Sequence, residues 1–218
     1  MYPEGRSAFI YAHPDDETFM SGCLIRQLAD ESLKPVLLLA TRGDAGYKNG
    51  DYADASREEL AAIRDGEMEE AAAILGLDAL QQLGYPDGKL NEIDTTRLAS
   101  QIAEFANTYA VESLFTFPPD GGNGHPDHVA ISRATTLAFE SGLCRSVRRL
   151  YYSLSPAMAL EGRTPDLTLE VAKQWKVKAA ALRAHDSQKY AIERYFGNLG
   201  EEVQMSRRYE QFVVIYKK

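Results

Sequence analysis

Short apolar runs alternate along the chain with longer stretches in which apolar positions recur every three or four residues. The runs at 7–12, 35–41, 80–84, 113–117, 147–154 and 212–216 have the length and side-chain content of buried strands. The stretches 18–31, 56–75, 95–109, 127–140 and 170–184 carry helical spacing, and Gly76 follows the second where a C-capping glycine would stand. This alternation predicts βαβ units, and so an α/β fold with a mainly parallel sheet flanked by helices. The segment 42–54, with Gly43, Gly46 and Gly50, reads as a loop, and 190–208 as a polar, irregular surface excursion before a last strand. With no repeat or low-complexity stretch to divide it, 1–218 is expected to form one domain.

Two predicted strands run straight into clusters of metal-ligating and acid/base side chains. Residues 8–11 lead to Ala12-His13-Pro14-Asp15-Asp16-Glu17, and 113–117 precede Gly124-His125-Pro126-Asp127-His128; three of the four histidines lie in these two motifs. Ligands of open parallel sheets bind beyond the carboxyl ends of the strands, so segments this far apart in sequence can share one crevice. A catalytic zinc takes three protein ligands from His, Asp or Glu and keeps a fourth position open, and His13, Asp16 and His128 supply that set. Pro14 stiffens the turn between the first two.

Asp15 and His125 are then left beside the metal. Asp15 suits a general base that takes a proton from water, and His125 a group that stabilises an oxyanion or protonates a leaving group. Asp127 is the expected carboxylate partner that sets the tautomer of His125. Glu17, at the start of a helix, reads as a helix-dipole or supporting group. A single His-Pro-Asp tripeptide can be only a turn; two of them at two strand ends point to a shared metal.

Composition narrows the partners. With 24 basic and 32 acidic residues the net charge is −8, which repels nucleic acid and favours a small molecule. No apolar run approaches a membrane span and the N-terminus lacks a secretory pattern, so a cytoplasmic location is expected, with Cys23 and Cys144 as reduced, packed thiols. Homo-oligomers are common among soluble enzymes, and one is possible here.

Together the two motifs resemble those of the LmbE-like, or PIG-L, zinc-dependent N-acetylglucosaminyl deacetylases. The likeness extends to Thr41-Arg42-Gly43-Asp44-Ala45-Gly46, to Arg64 and Glu67, to Leu83-Gly84-Tyr85-Pro86-Asp87, and to the stretch from Lys178 through His185 to Gln188, covering roughly residues 8–190. The resemblance implies a Rossmann-like fold, zinc on His13, Asp16 and His128, Asp15 as base and His125 at the tetrahedral intermediate. It places Arg64 and Asp87 where the family holds sugar hydroxyls, a role that a guanidinium and a carboxylate suit chemically. The implied substrate is a small N-acetylated amino-sugar conjugate of the GlcNAc-malate or GlcNAc-inositol type.

Two positions depart from the mycothiol-type pattern. Asn123 stands where a tyrosine assists at the oxyanion, and Asp44 and Ala45 stand where glutamates are common. His185 matches a histidine often found in the family but receives no catalytic role. Ferrous iron can use the same two histidines and carboxylate as zinc. The competing functions are an amidase on a thiol conjugate, a catalytically silent sugar-binding protein and a nucleotide-binding module. The last is disfavoured because His-Pro-Asp-Asp replaces a glycine-rich turn.

Overall fold

The fold, seen in a computed structural model that describes residues 2–48 and 50–216, grows from the apolar runs. β1 (Ser7–Tyr11), β2 (Val36–Thr41) and β4 (Ser113–Thr116) are buried along their whole length, as strands covered on both faces must be. β3 (Ala79–Tyr85) is half exposed, in keeping with an edge position and with its polar Gln81 and Gln82. With β5 (Arg149–Ser153), β6 (Leu167–Glu170) and β7 (Tyr209–Tyr216) they form one seven-stranded sheet in the order β3-β2-β1-β4-β5-β7-β6. The first five strands of that order pair in parallel; β7 joins β5 and β6 antiparallel.

The helices are α1 (Asp16–Asp30), α2 (Arg57–Leu75), α3 (Thr95–Thr108), α4 (Pro126–Glu140), α5 (Pro156–Leu160), α6 (Trp175–Ala184) and α7 (Lys189–Phe196). The chain moves outward from β1 to β2 and β3, then returns to β4 on the other side of β1 and continues to β5. Right-handed crossovers therefore put α1 and α2 on one face and α3 and α4 on the other. This reversal makes the carboxyl ends of β1 and β4 the switch point of the sheet, where a crevice opens.

Aromatic side chains tie the central strands together. Phe115 of β4 stacks on Phe9 of β1 and Tyr151 of β5, with centroids 4.9 and 4.4 Å apart, and meets Phe212 of β7 edge-on at 5.2 Å. Phe9–Phe115 and Phe115–Tyr151 are cross-strand neighbours in the register, the arrangement by which side-chain pairs stabilise a sheet. A second apolar cluster of Cys23, Val171, Trp175, Ala179, Leu182, Ile192, Phe196 and Leu199 joins α1, α6 and α7. Both cysteines are buried thiols.

Two expectations need correction. Residues 170–184 do not form one helix: Leu167–Glu170 is a short strand on β7, Val171–Lys173 is a single 3-10 turn, and the α-helix starts at Trp175. A strand of four residues alternating buried and exposed is too short for periodicity to declare it. Nor is 190–208 wholly irregular, because α7 occupies its first part and buries Ile192 and Phe196, spaced four apart, in the second cluster.

Candidate metal centre and active site

Beyond Tyr11 the chain leaves β1, and Ala12 O accepts both the amide and the hydroxyl of Thr41 at 2.9 Å, which fixes where the His-Pro-Asp-Asp turn begins. The turn closes on itself: Asp16 N donates to His13 O at 3.3 Å and His13 N to Asp16 Oδ2 at 2.8 Å. Asp15 takes φ 103°, a region that side-chain-bearing residues avoid and that costs on the order of 1–3 kcal/mol. On the other strand, Pro126 opens α4 at its first turn, where its missing N–H costs nothing, and the helix presents Asp127 and His128 to the same crevice.

Three donor atoms converge there. His13 Nδ1 lies 3.3 Å from Asp16 Oδ2, His128 Nε2 lies 3.3 Å from Asp16 Oδ1, and the two ring nitrogens are 3.3 Å apart. Ligand distances of about 2.0–2.1 Å set the edges of a zinc tetrahedron at about 3.3–3.4 Å, so the two ring nitrogens already have the spacing of two corners, with one Asp16 oxygen at that distance from each. The outer ring nitrogens decide the protonation. His128 Nδ1 faces Gly121 O at 3.2 Å, and His13 Nε2 faces Asp87 Oδ1 at 3.1 Å and Asp127 Oδ2 at 3.3 Å. With each outer nitrogen protonated toward its acceptor, the lone pairs of His13 Nδ1 and His128 Nε2 would face the Asp16 carboxylate, so a positive charge, a proton in the metal-free protein or a metal ion, belongs between them.

Such a set demands a cation. Against the cost of burial, His128 and then His13 hold the Asp16 carboxyl well below its usual range. Burial alone would lower the value of His13, but the carboxylates of Asp127, Asp16 and Asp87 raise it well above normal. The residues present thus fit a divalent metal.

The supporting groups differ in one respect from expectation. Asp127 was expected to orient His125, but its carboxylate accepts instead from Gly88 N at 2.7 Å and Leu90 N at 3.0 Å and lies against His13 Nε2. The reason is its place one position into α4, where the carboxylate turns inward to the chain following β3 while the backbone turns outward to His125. His125 is fixed by the backbone: its Nδ1 accepts from Asp127 N at 3.2 Å, so the neutral ring carries its proton on Nε2. Burial and then the neighbouring His13 and His128 push the value of His125 below normal, which keeps that neutral form at pH 7. Its ring centroid is 5.0 Å from that of His13.

Asp15 Oδ2 lies 3.2 Å from Arg64 Nη2. Burial raises its carboxyl to about 6, and Arg64 opposes that rise. Arg64 is buried, bonds Gly43 O at 3.0 Å and Pro14 O, and is not paired with Glu67, which accepts from Ser187 N and Oγ at 2.6 and 2.7 Å. Its Nε, buried, has no hydrogen-bond partner among the described residues. The backbone of Gly43 comes so close, at φ +67°, that a β-carbon there would stand 2.3 Å from the guanidinium. Asp87 Oδ2 accepts from Ala45 N at 3.0 Å, and Asp44 bridges Arg57 Nε at 2.7 Å and Asp87 N at 2.9 Å, so Asp44 spends its carboxylate on holding two loops together. Asn123 is exposed and its Oδ1 accepts from His125 N at 3.0 Å.

These side chains line a cleft of about 750 Å³ with His13, Asp15, Asp16, Arg64, Asp87 and His128 on its floor. Phe19, Met20, Tyr195, Phe196 and Tyr209 carry it away from the metal donors. Of the two tyrosines in the 42–54 loop, Tyr47 lines the cleft, whereas Tyr52 bonds Asp186 at 2.7 Å. The sequence reading passed over what holds the site from behind. Lys178 and Glu210 form a buried pair at 2.7 Å on the cleft wall, and the Glu210 carboxylate also accepts from Cys23 N and Leu24 N at 2.9 Å each. Nothing local marks Glu210, whose partners are far away in sequence.

The family model for PIG-L, described as GlcNAc-PI de-N-acetylase, matches residues 8–139. The chain belongs to the PIG-L family. A probable N-acetyl-α-D-glucosaminyl L-malate deacetylase 2 of Bacillus cereus is 30% identical over 84% of this chain and 83% of its own length. A 1D-myo-inositol 2-acetamido-2-deoxy-α-D-glucopyranoside deacetylase of Mycolicibacterium vanbaalenii is 29% identical over 84% of this chain and 80% of its own. Among solved structures, the N,N'-diacetylchitobiose deacetylase of Pyrococcus horikoshii superimposes with a TM-score of 0.76 at 21% identity, covering 97% of this chain and 84% of that one, which confirms the PIG-L fold. The matched segment of this PIG-L chain runs from β1 through α4 and so contains every donor of the metal centre.

Proposed function

We propose that this PIG-L protein is a zinc-dependent deacetylase that hydrolyses the N-acetyl group of an N-acetylglucosamine conjugate, giving the free amine and acetate. The observation that carries the reading is the convergence of His13 Nδ1, Asp16 and His128 Nε2, 3.3 Å apart, on the floor of a cleft that also holds Asp15 and His125. The kinship with deacetylases of GlcNAc-malate and GlcNAc-inositol conjugates supports the substrate class.

When bound on those three residues, zinc supplies a Lewis acid that polarises an amide carbonyl and makes water a better nucleophile. The side chains do the rest. Asp15 accepts the proton of the attacking water, and Arg64 at 3.2 Å holds its carboxylate toward the centre. His125 presents Nε2–H to the oxyanion as a hydrogen-bond donor, and the proton accepted by Asp15 is the one delivered to the departing nitrogen. Asp127 keeps the proton of His13 on Nε2 and thereby its lone pair toward the metal. Asp87 and Arg64, which line the same cleft, are assigned to the hydroxyls of the sugar ring, and Asn123 borders the same space. Ferrous iron would serve the same donors.

A cytoplasmic location belongs to the same reading. Among the described residues no helix is long and apolar enough to cross a membrane.

Acetate release from N-acetylglucosamine, N-acetylglucosaminyl-malate and N-acetylglucosaminyl-inositol, by protein stripped of metal and then reloaded with zinc, tests the proposal and ranks the aglycones. Release that depends on zinc is the expected result. No release from any of the three with zinc bound would remove this substrate class.

A further inference from the structure

Asp15 sits in a backbone conformation that aspartate avoids, φ 103° and ψ −33°, and the metal donors do not account for what keeps it there. The peptide joining Pro14 to Asp15 is gripped at both ends. Its carbonyl accepts from Arg64 Nη2, and its N–H donates to Glu17 Oε2 at 3.0 Å. Asp15 O then accepts from Thr18 N and Phe19 N, both at 2.9 Å, so α1 begins at the strained residue. Turning the 14–15 peptide over would relieve φ, but it would break both of those bonds.

Glu17 is itself fully buried. A carboxylate serving only the helix dipole would do so as well in solvent, and burying one without hydrogen bonds to its charge is costly. Its second oxygen, Oε1, accepts from Thr18 Oγ1 and from His185 Nε2 at 3.1 Å. His185, also fully buried, arrives from the end of α6, and Nε2 is the only ring nitrogen for which the structure shows a partner. Both oxygens of Glu17 are therefore occupied by donors, one of them the Asp15 amide and another an imidazole supplied from the far end of the chain.

We infer that Glu17 and His185 are positioning residues for Asp15: His185 fixes the rotamer of Glu17, and Glu17 holds the 14–15 peptide in the orientation that turns the Asp15 carboxylate toward the metal centre. The inference rests on the reading of Asp15 as the base. It also explains why a glutamate follows the two aspartates of the first motif, a position that the ligand set leaves unused.

The test compares Glu17→Gln, Asp15→Asn and the double variant in the zinc-loaded protein, with N-acetylglucosamine as substrate. In Glu17→Gln the charge bonded by the Asp15 amide and His185 is lost, and the NH2 group keeps its place beside His185 Nε2 only if that ring moves its proton to Nδ1, which faces no acceptor among the described residues, so the grip on the peptide weakens. The expected result is a fall in kcat of about tenfold or more with KM unchanged within about threefold and zinc content retained, since small displacements of a catalytic group carry penalties of this order. In the Asp15→Asn background the same substitution should cost less than about twofold, because a residue that acts through Asp15 has nothing left to position. The Asp15 amide proton, observed by NMR in the metal-free protein, should shift upfield in Glu17→Gln as its bond to a carboxylate is lost.

An equal loss in both backgrounds would show a general structural role and overturn the inference. Wild-type kcat in Glu17→Gln beside an inactive Asp15→Asn would overturn it while leaving the base in place. Full activity in Asp15→Asn would remove the base and this inference with it. Should Glu17→Gln fail to fold, His185→Gln decides by the same double-variant comparison, because among the described residues the hydrogen bond of His185 to the turn runs through Glu17.

Discussion

Asp15, His125 and the three metal donors lie within a few residues of one another in two motifs, yet each performs through atoms that its neighbours select. Asp87 and Asp127 face Nε2 of His13 and Gly121 O faces Nδ1 of His128, which leaves Nδ1 of the first and Nε2 of the second as the nitrogens that could meet a metal. Replacing His128 with Ala removes one corner of the triangle, and metal analysis after dialysis should show the zinc largely gone. Asp15→Asn should keep its zinc and lose about 10²–10⁴-fold in kcat, the usual contribution of a general base, as read by acetate release. Gly43 is a residue whose absence of a side chain is used directly. Gly43→Ala combines a left-handed φ with a β-carbon 2.3 Å from the Arg64 guanidinium. It should cost about 2 kcal/mol or more in urea unfolding and also lower kcat by displacing Arg64 from Asp15.

At the scale of elements, α1 is held less by its own sequence than by what reaches it from the other end of the chain. Glu210 of β7 accepts from two amides in the middle of α1, and Lys178 of α6 joins that carboxylate and Phe19 O at 2.7 and 3.0 Å. Three elements are thereby locked behind the cleft. Lys178→Met would leave the Glu210 charge buried without its cation and should cost about 3–5 kcal/mol, measured by denaturant unfolding, while replacing both members with apolar residues should cost less. α2 shows the opposite case, with ends written locally. Ser56 and Glu59 form a reciprocal capping box, with bonds of 3.2 and 2.7 Å, and Gly76 closes the helix in the left-handed conformation. Local signals of this kind explain why the predicted span of 56–75 agrees with the helix, whereas the start of α6 and the whole of α7, set by packing of the second cluster, did not show in periodicity.

For the whole molecule, the sheet order is the decisive fact, because it brings the ends of β1 and β4 side by side at the point where the chain reverses direction. A metal held by these donors would bridge the two segments, and its binding would add to the stability of the folded state alone. Stripping the zinc with a chelator should lower Tm, and titrating it back should restore Tm in proportion to the logarithm of free zinc. The alternating apolar runs and helical stretches were enough to determine the α/β class, and the two His-Pro-Asp motifs enough to single out the side chains that meet in the crevice, since strand length, periodicity and ligand chemistry are local properties. Which carboxylate serves which histidine was not local. Asp127 turned to His13 rather than His125, Arg64 was drawn inside to Pro14 and Asp15, and Glu17 met His185 from 168 residues away. These choices depend on distances between segments that only the packed sheet and helices bring together, so they were made by the tertiary structure.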